Sequence, residues 1–312
     1  VTNLSKLKTA QLNFLDTQKG KEMGFGRSAN TKLTQVSQEN RESVFLDIKR
    51  GIRTFRLPVG SEEVKVKRHW LALNSDGMWE PKFLYNPNDK RRAIPITVAR
   101  WNAEQGRWDG DQRNWRRNPI DDWVQSQGGD GVDIDKMYAQ ELFYLNVLDL
   151  TPVRITDDGV VHYPDEGMKY PAAAANGKRS VSGTMKILTG SSGDPSGKSM
   201  YANLVRLAKS ALNDDGDPID IYDFEIRLVT TGQGKETNRS FNMGAVRPIP
   251  KEYKSMPMFD FSNWPQIWPN DAISSLMEGQ DYSEVLTEYN IKLYPEPMKV
   301  EPSKESNENL FE

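Results

Sequence analysis

Apolar and polar residues alternate most sharply at Val64-Lys65-Val66-Lys67, which places the two valines on one face of a strand and the two lysines on the other. The pattern continues to Leu73 and is closed by Asn74-Ser75-Asp76-Gly77, residues whose side chains and backbone suit a turn. Upstream, residues 44–48 and 52–58 flank Lys49-Arg50-Gly51 and predict strand, turn, strand. Downstream, residues 142–148 and 182–188 predict two more strands, separated by a loop around Gly177. In residues 200–212, Leu204, Leu207, Ala208, Ala211 and Leu212 recur at helical spacing, and Asn213-Asp214-Asp215-Gly216 ends the run. Residues 223–229 and 239–243 flank Gly232-Gln233-Gly234 as a late hairpin. Several short strands with one helix, and no strand–helix alternation, predict a mainly β fold with helical insertions, built on a small antiparallel barrel rather than a doubly wound sheet.

The same pattern divides the chain. Residues 1–40 are polar and read as a flexible N-terminal arm. Residues 41–250 carry the strands and are expected to form the core, interrupted at 86–135 by a segment rich in Asn, Asp, Gly, Arg and Trp that is read as an insertion with short helices. Residues 251–312 hold five Lys against twelve Asp/Glu, with one expected helix over 272–289 and a Pro-punctuated, disordered acidic tail. The tail closes on Leu310-Phe311, an apolar pair that is a candidate contact for partner proteins.

Composition narrows the chemistry. The 312 residues include no cysteine and two histidines, His69 and His162, far apart in sequence. This excludes disulfides, a thiol nucleophile, iron–sulfur clusters and cysteine-bearing zinc sites, and no cofactor or metal is expected. Apolar runs fall well short of the roughly 20 residues a spanning helix needs, and no leader pattern is evident, so a cytoplasmic protein with no membrane partner is expected. The net charge of -3 conceals a segregation: residues 1–117 hold 23 Lys/Arg against 13 Asp/Glu, and residues 118–312 hold 18 against 31. A basic first part points to a polyanion partner; ordinary solvated faces with a solubilising tail are the plainer alternative.

Six of the eight Trp lie between Arg53 and Trp123, among many arginines. Single-stranded nucleic acid offers a charged backbone and exposed base faces, and lysines or arginines beside flat rings match both, each stacked base being worth roughly 1–3 kcal/mol. The candidate phosphate-neutralising residues are Arg53, Arg56, Lys65, Lys67, Arg68, Arg91, Arg92, Arg107 and Arg116; the candidate stacking residues are Trp70, Trp79, Trp101, Trp108 and Trp115. Any one of these Trp is as readily a core anchor. The Gly190–Ser199 segment evokes a phosphate loop, yet Ser192 stands where the motif needs glycine and Pro195 removes an amide, so a turn leading to a capped helix is the better reading. The acidic clusters at 121–122, 130–135 and 214–220 evoke a metal nuclease, but Asp214-Asp215-Gly216-Asp217 lacks the loop length and terminal Glu of a calcium loop, and solvated turns are the better reading.

Taken in order, these motifs resemble the phage replication proteins that bind single-stranded DNA through an OB-fold. The resemblance rests on Phe45-Leu46-Asp47-Ile48-Lys49-Arg50-Gly51 with Arg53 and Arg56-Leu57-Pro58. It extends to the basic strand through Lys65, Lys67, His69 and Trp70, to Leu145-Asn146-Val147-Leu148-Asp149, to the block from Tyr222 to Thr237, and to the acidic tail. It implies a five-stranded antiparallel OB-type barrel and cooperative coating of single strands during phage replication, recombination or repair. It also implies self-association along DNA, replisome proteins as partners of the tail, and the host cytoplasm as the place. The T-even branch carries a Cys/His zinc subdomain where this chain has its Arg/Trp-rich insertion, so residue roles there rest on chemistry alone. Two other readings stand beside it: a structural or assembly protein of a virion, and a nucleotide-hydrolysing enzyme using Lys198 and Ser199.

Overall fold

The computed structural model describes residues 44–49, 51–82, 91, 93–109, 118–126, 139–164, 169–193, 199–232 and 237–298. Their strands are β1 (Gly51–Arg56), β2 (Val64–Leu73), β3 (Trp79–Pro81), β4 (Ala93–Asn102), β5 (Arg107–Asp109), β6 (Gln140–Asp149), β7 (Pro152–Ile155), β8 (Val161–His162), β9 (Lys178–Val181), β10 (Thr184–Ser191), β11 (Phe224–Thr231) and β12 (Asn238–Val246). Among the described residues the named α-helices are α1 (Pro119–Ser126), α2 (Met200–Ser210), α3 (Asn270–Met277) and α4 (Tyr282–Glu288). The protein is mainly β, as the alternation predicts, with a large antiparallel sheet.

β6 is the spine of that sheet. Along one edge it pairs with β10, from Leu142 opposite Ser191 to Asp149 opposite Thr184. Its other edge is divided, β1 taking Leu148 and Asp149 and the first half of β2 taking residues 140–144. Because β1 and β2 share one edge end to end, the sheet fans out from β6 in the order β12-β11-β1-β6-β2-β4-β5. Nothing among the described residues joins β12 to β5, so the sheet is open rather than the closed barrel expected. A separate three-stranded sheet, β8-β7-β9, follows β6.

Three sequence expectations change. Residues 44–48 form no strand; Phe45 makes a single bridge to Ile187. The segment 86–135 is not purely an insertion of short helices, since it contains the ten-residue β4, paired with β2 from Val66 to Ala72. Pro95 obscures this strand, because proline lacks the ladder donor; β5 covers only residues 100–102 of β4, so Pro95 lies where the outer edge carries no strand among the described residues. The expected helix over 272–289 is two, because Gly279 adopts φ +97 and the Asp281 carboxylate caps α4 by accepting from the Ser283 and Glu284 amides.

The acidic C-terminal part is also a packing element up to residue 298. Ala272, Ile273, Leu276 and Val285 are fully buried against Leu71, Ile96, Val98, Ile120 and Val124. Phe261 and Trp264 close over Val64, Val66 and Tyr144. A further cluster, with Phe55, Phe143, Leu188, Phe224 and Ile226, lies beneath Met200 and Leu204 of α2.

Candidate nucleic-acid interface

Alternation on β2 separates two environments. Val64, Val66 and Arg68 share the face covered by Tyr144 and Trp264, whereas Lys65 and Lys67 lie on the opposite face with Phe143 and Glu141, their register partners on β6. On that second face α2 packs over Phe143, and Tyr201 brings its ring to 5.4 Å from the Phe143 ring. The Lys65 ammonium stands 4.2 Å from the centre of the Tyr201 ring. The Lys67 ammonium stands 4.6 Å from the centre of Trp108, which in turn meets Trp101 edge-on at 5.4 Å across the β4–β5 pair. The result is a strip with two cations flanked by rings: Tyr201, Lys65, Lys67, Trp108, Trp101.

Counter-charges hold the lysines in place. Lys65 pairs with Glu63 at 3.0 Å and Lys67 with Glu141 at 3.4 Å, and the two lysine side chains are 21% and 15% exposed. Glu141 is itself oriented by Ser192, whose hydroxyl donates to it at 3.1 Å. Burial, then the neighbouring Glu63, raises the Tyr201 phenol well above its ordinary range, so the ring stays neutral. The strip therefore supplies cation–π pairs with partly desolvated ammonium groups, a setting in which an incoming phosphate can exchange with a carboxylate.

The other candidate residues are placed differently. Arg53, 4% exposed, donates to the Pro164 carbonyl, pairs with Asp47 and lies over the Tyr163 ring. Arg56, 2% exposed, donates to the carbonyls of Arg247 and Tyr222, and burial lowers its pKa. Arg68 is buried over the Tyr144 ring and reaches Thr97 at 3.4 Å. These three guanidiniums hold the fold together instead of facing solvent. Arg91 pairs with Glu80, and Arg107 is exposed beside Asp109. Trp79 packs against Tyr282 of α4 at 5.7 Å, and Trp70 sits half-buried opposite Pro95. Arg92, Trp115, Arg116, Leu310 and Phe311 lie outside the described residues.

Sequence reasoning missed Tyr201, Glu63, Glu141 and Ser192. Tyr201 was legible only as the second residue of an amphipathic helix, and nothing local ties it to a lysine on a strand far upstream. Ser199 caps α2, its hydroxyl accepting from the Ala202 amide at 3.1 Å, while Lys198 lies outside the described residues. Among the described residues no group of three or more His, Asp or Glu side chains is placed to hold a metal ion, and no helix is long and apolar enough to cross a membrane. Compared with protein-family models, with curated proteins and with solved structures, the chain matches none.

Proposed function

We propose that the protein binds single-stranded DNA without sequence preference and without catalysis, coating it during phage DNA replication, recombination or repair. The observation that carries this reading is the strip in which Lys65 and Lys67 stand over Tyr201 and Trp108, with Trp101 beside it. Cations on rings answer a polymer of phosphates and flat bases, and the arrangement needs no base-specific donor. Arg107, next to Trp108 on β5, is exposed beside Asp109 and by alternation belongs to the other face of the strand. Arg53, Arg56 and Arg68 are buried and are not part of the contact surface.

The resemblance to phage single-stranded-DNA-binding proteins supports the same reading, with the core taken as an OB-type arrangement whose sheet is opened out. Replisome proteins as partners of the tail, and self-association along DNA, belong to this reading as well.

The test is the salt dependence of oligothymidylate binding. Lys65→Gln with Lys67→Gln should reduce the slope of log affinity against log salt by about 1.4, at about 0.7 per phosphate on a single strand. Trp108→Ala should weaken binding while leaving the slope nearly unchanged. Wild-type affinity and slope in both variants would remove this face from the reading.

A further inference from the structure

We infer that the three-stranded sheet carries a second anion site, taking the phosphodiester backbone of a single strand that runs beyond the Lys65–Trp108 strip; it rests on the reading proposed above. The register sets Arg154 of β7 directly opposite both His162 of β8 and Arg179 of β9, so three basic side chains form one row across three strands on one face. Directly opposed like charges destabilise a sheet, and such a row persists at least cost where an anion sits across it. Neither Arg154 nor Arg179 forms an ion pair with a described residue, although Asp158 stands near His162 at the β7–β8 turn. The anion is therefore placed at the Arg154–Arg179 end.

Arg154 is held ready. Its guanidinium donates to the Gly177 carbonyl at 2.9 Å and lies over the Tyr170 ring, 5.3 Å from its centre. Gly177 suits this close approach, since a Cβ there would stand 3.2 Å from the Arg154 Cβ and 3.1 Å from the Ile155 carbonyl oxygen, tighter than ordinary contact. The sheet is fastened to the spine of the fold by the Tyr163 hydroxyl, 3.0 Å from Asp149 and 2.8 Å from Ser182, so the cations have a fixed base. Val181 lies on the same face as Arg179, two residues on, and is 39% exposed, an apolar surface for a sugar or base beside the phosphate site.

The test compares the wild type with Arg154→Gln/Arg179→Gln on oligothymidylates of increasing length, with salt slopes at each length. The expected result is that short oligonucleotides bind both proteins alike, and that beyond some length only the wild type gains further affinity, with a slope steeper by about 1.4. Arg179→Gln alone, at an exposed position, should show about half of that difference and keeps the test open if the double variant folds poorly. Equal slopes at every length, with the wild type binding normally, overturn this site and leave the proposed function standing. A wild type that binds no single strand overturns both. As a separate probe, inorganic phosphate should raise the Tm of the wild type more than that of the double variant; equal shifts count against the site.

Discussion

Asn146 and Phe259 hold each other through two hydrogen bonds: the Asn146 amide donates to the Phe259 carbonyl at 3.0 Å, and the Phe259 N–H donates to Asn146 Oδ1 at 2.9 Å. Asn146 is in the middle of β6 and almost wholly buried, so the pair ties the C-terminal part of the chain to the central strand. Asn146→Ala leaves both peptide groups of Phe259 without their partner and should cost about 2–4 kcal/mol of stability. Urea denaturation with an unchanged midpoint would contradict this role. For the same reason, truncation after residue 250 should abolish folding, whereas removing residues 299–312 leaves every described contact in place.

The His69 Nε2 lies 3.1 Å from Asp121 Oδ1, with both side chains buried, joining β2 to α1. Asp121 also accepts from the Asn118 amide at 2.6 Å. Removing one partner of a buried pair leaves the other in a poor environment, so Asp121→Ala should cost about 3–5 kcal/mol. Replacing both, His69→Leu with Asp121→Leu, should recover most of that loss. A double variant as unstable as the sum of the single ones would show that the two groups do not act as a pair.

Glu141 pairs with Lys67, and on the proposed reading an incoming phosphate competes with it. Glu141→Gln keeps the side-chain shape and the contact with Ser192 but removes the charge, so single-strand binding should tighten about threefold to tenfold and its salt slope should steepen. Weaker binding in this variant would mean that Glu141 serves the site by some other route.

Trp79 and Trp108 are expected to separate stability from binding. Trp79→Ala removes the ring that packs on Tyr282 and should lower stability by about 2–4 kcal/mol, with the affinity of the folded fraction retained. Trp108→Ala should do the reverse, weakening binding with a smaller stability loss. Denaturation and oligonucleotide titration on both variants distinguish the roles.

Much of this was legible in the sequence where the period was clean. The alternation at Val64-Lys65-Val66-Lys67 placed both lysines on one face, and the structure puts them there together. β6, β10, α2 and the late hairpin follow their apolar patterns within a few residues. β4 was hidden by Pro95, because a proline argues against a strand unless the free edge is known. The burial of Arg53, Arg56 and Arg68 was equally hidden: an arginine that donates to distant backbone carbonyls has the same local sequence as one that faces solvent. The basic row on the three-stranded sheet needed register, which short strands separated by long loops do not reveal.

The central claim is tested most directly by titrating the protein's tryptophan fluorescence with a single-stranded oligonucleotide and with the matching duplex at two salt concentrations. Trp101 and Trp108, half-buried in the strip, should be quenched strongly by the single strand and weakly by the duplex, with the response moving to higher DNA concentration as salt rises. No response to either DNA would contradict the claim and leave these rings as part of a protein interface or of the fold itself.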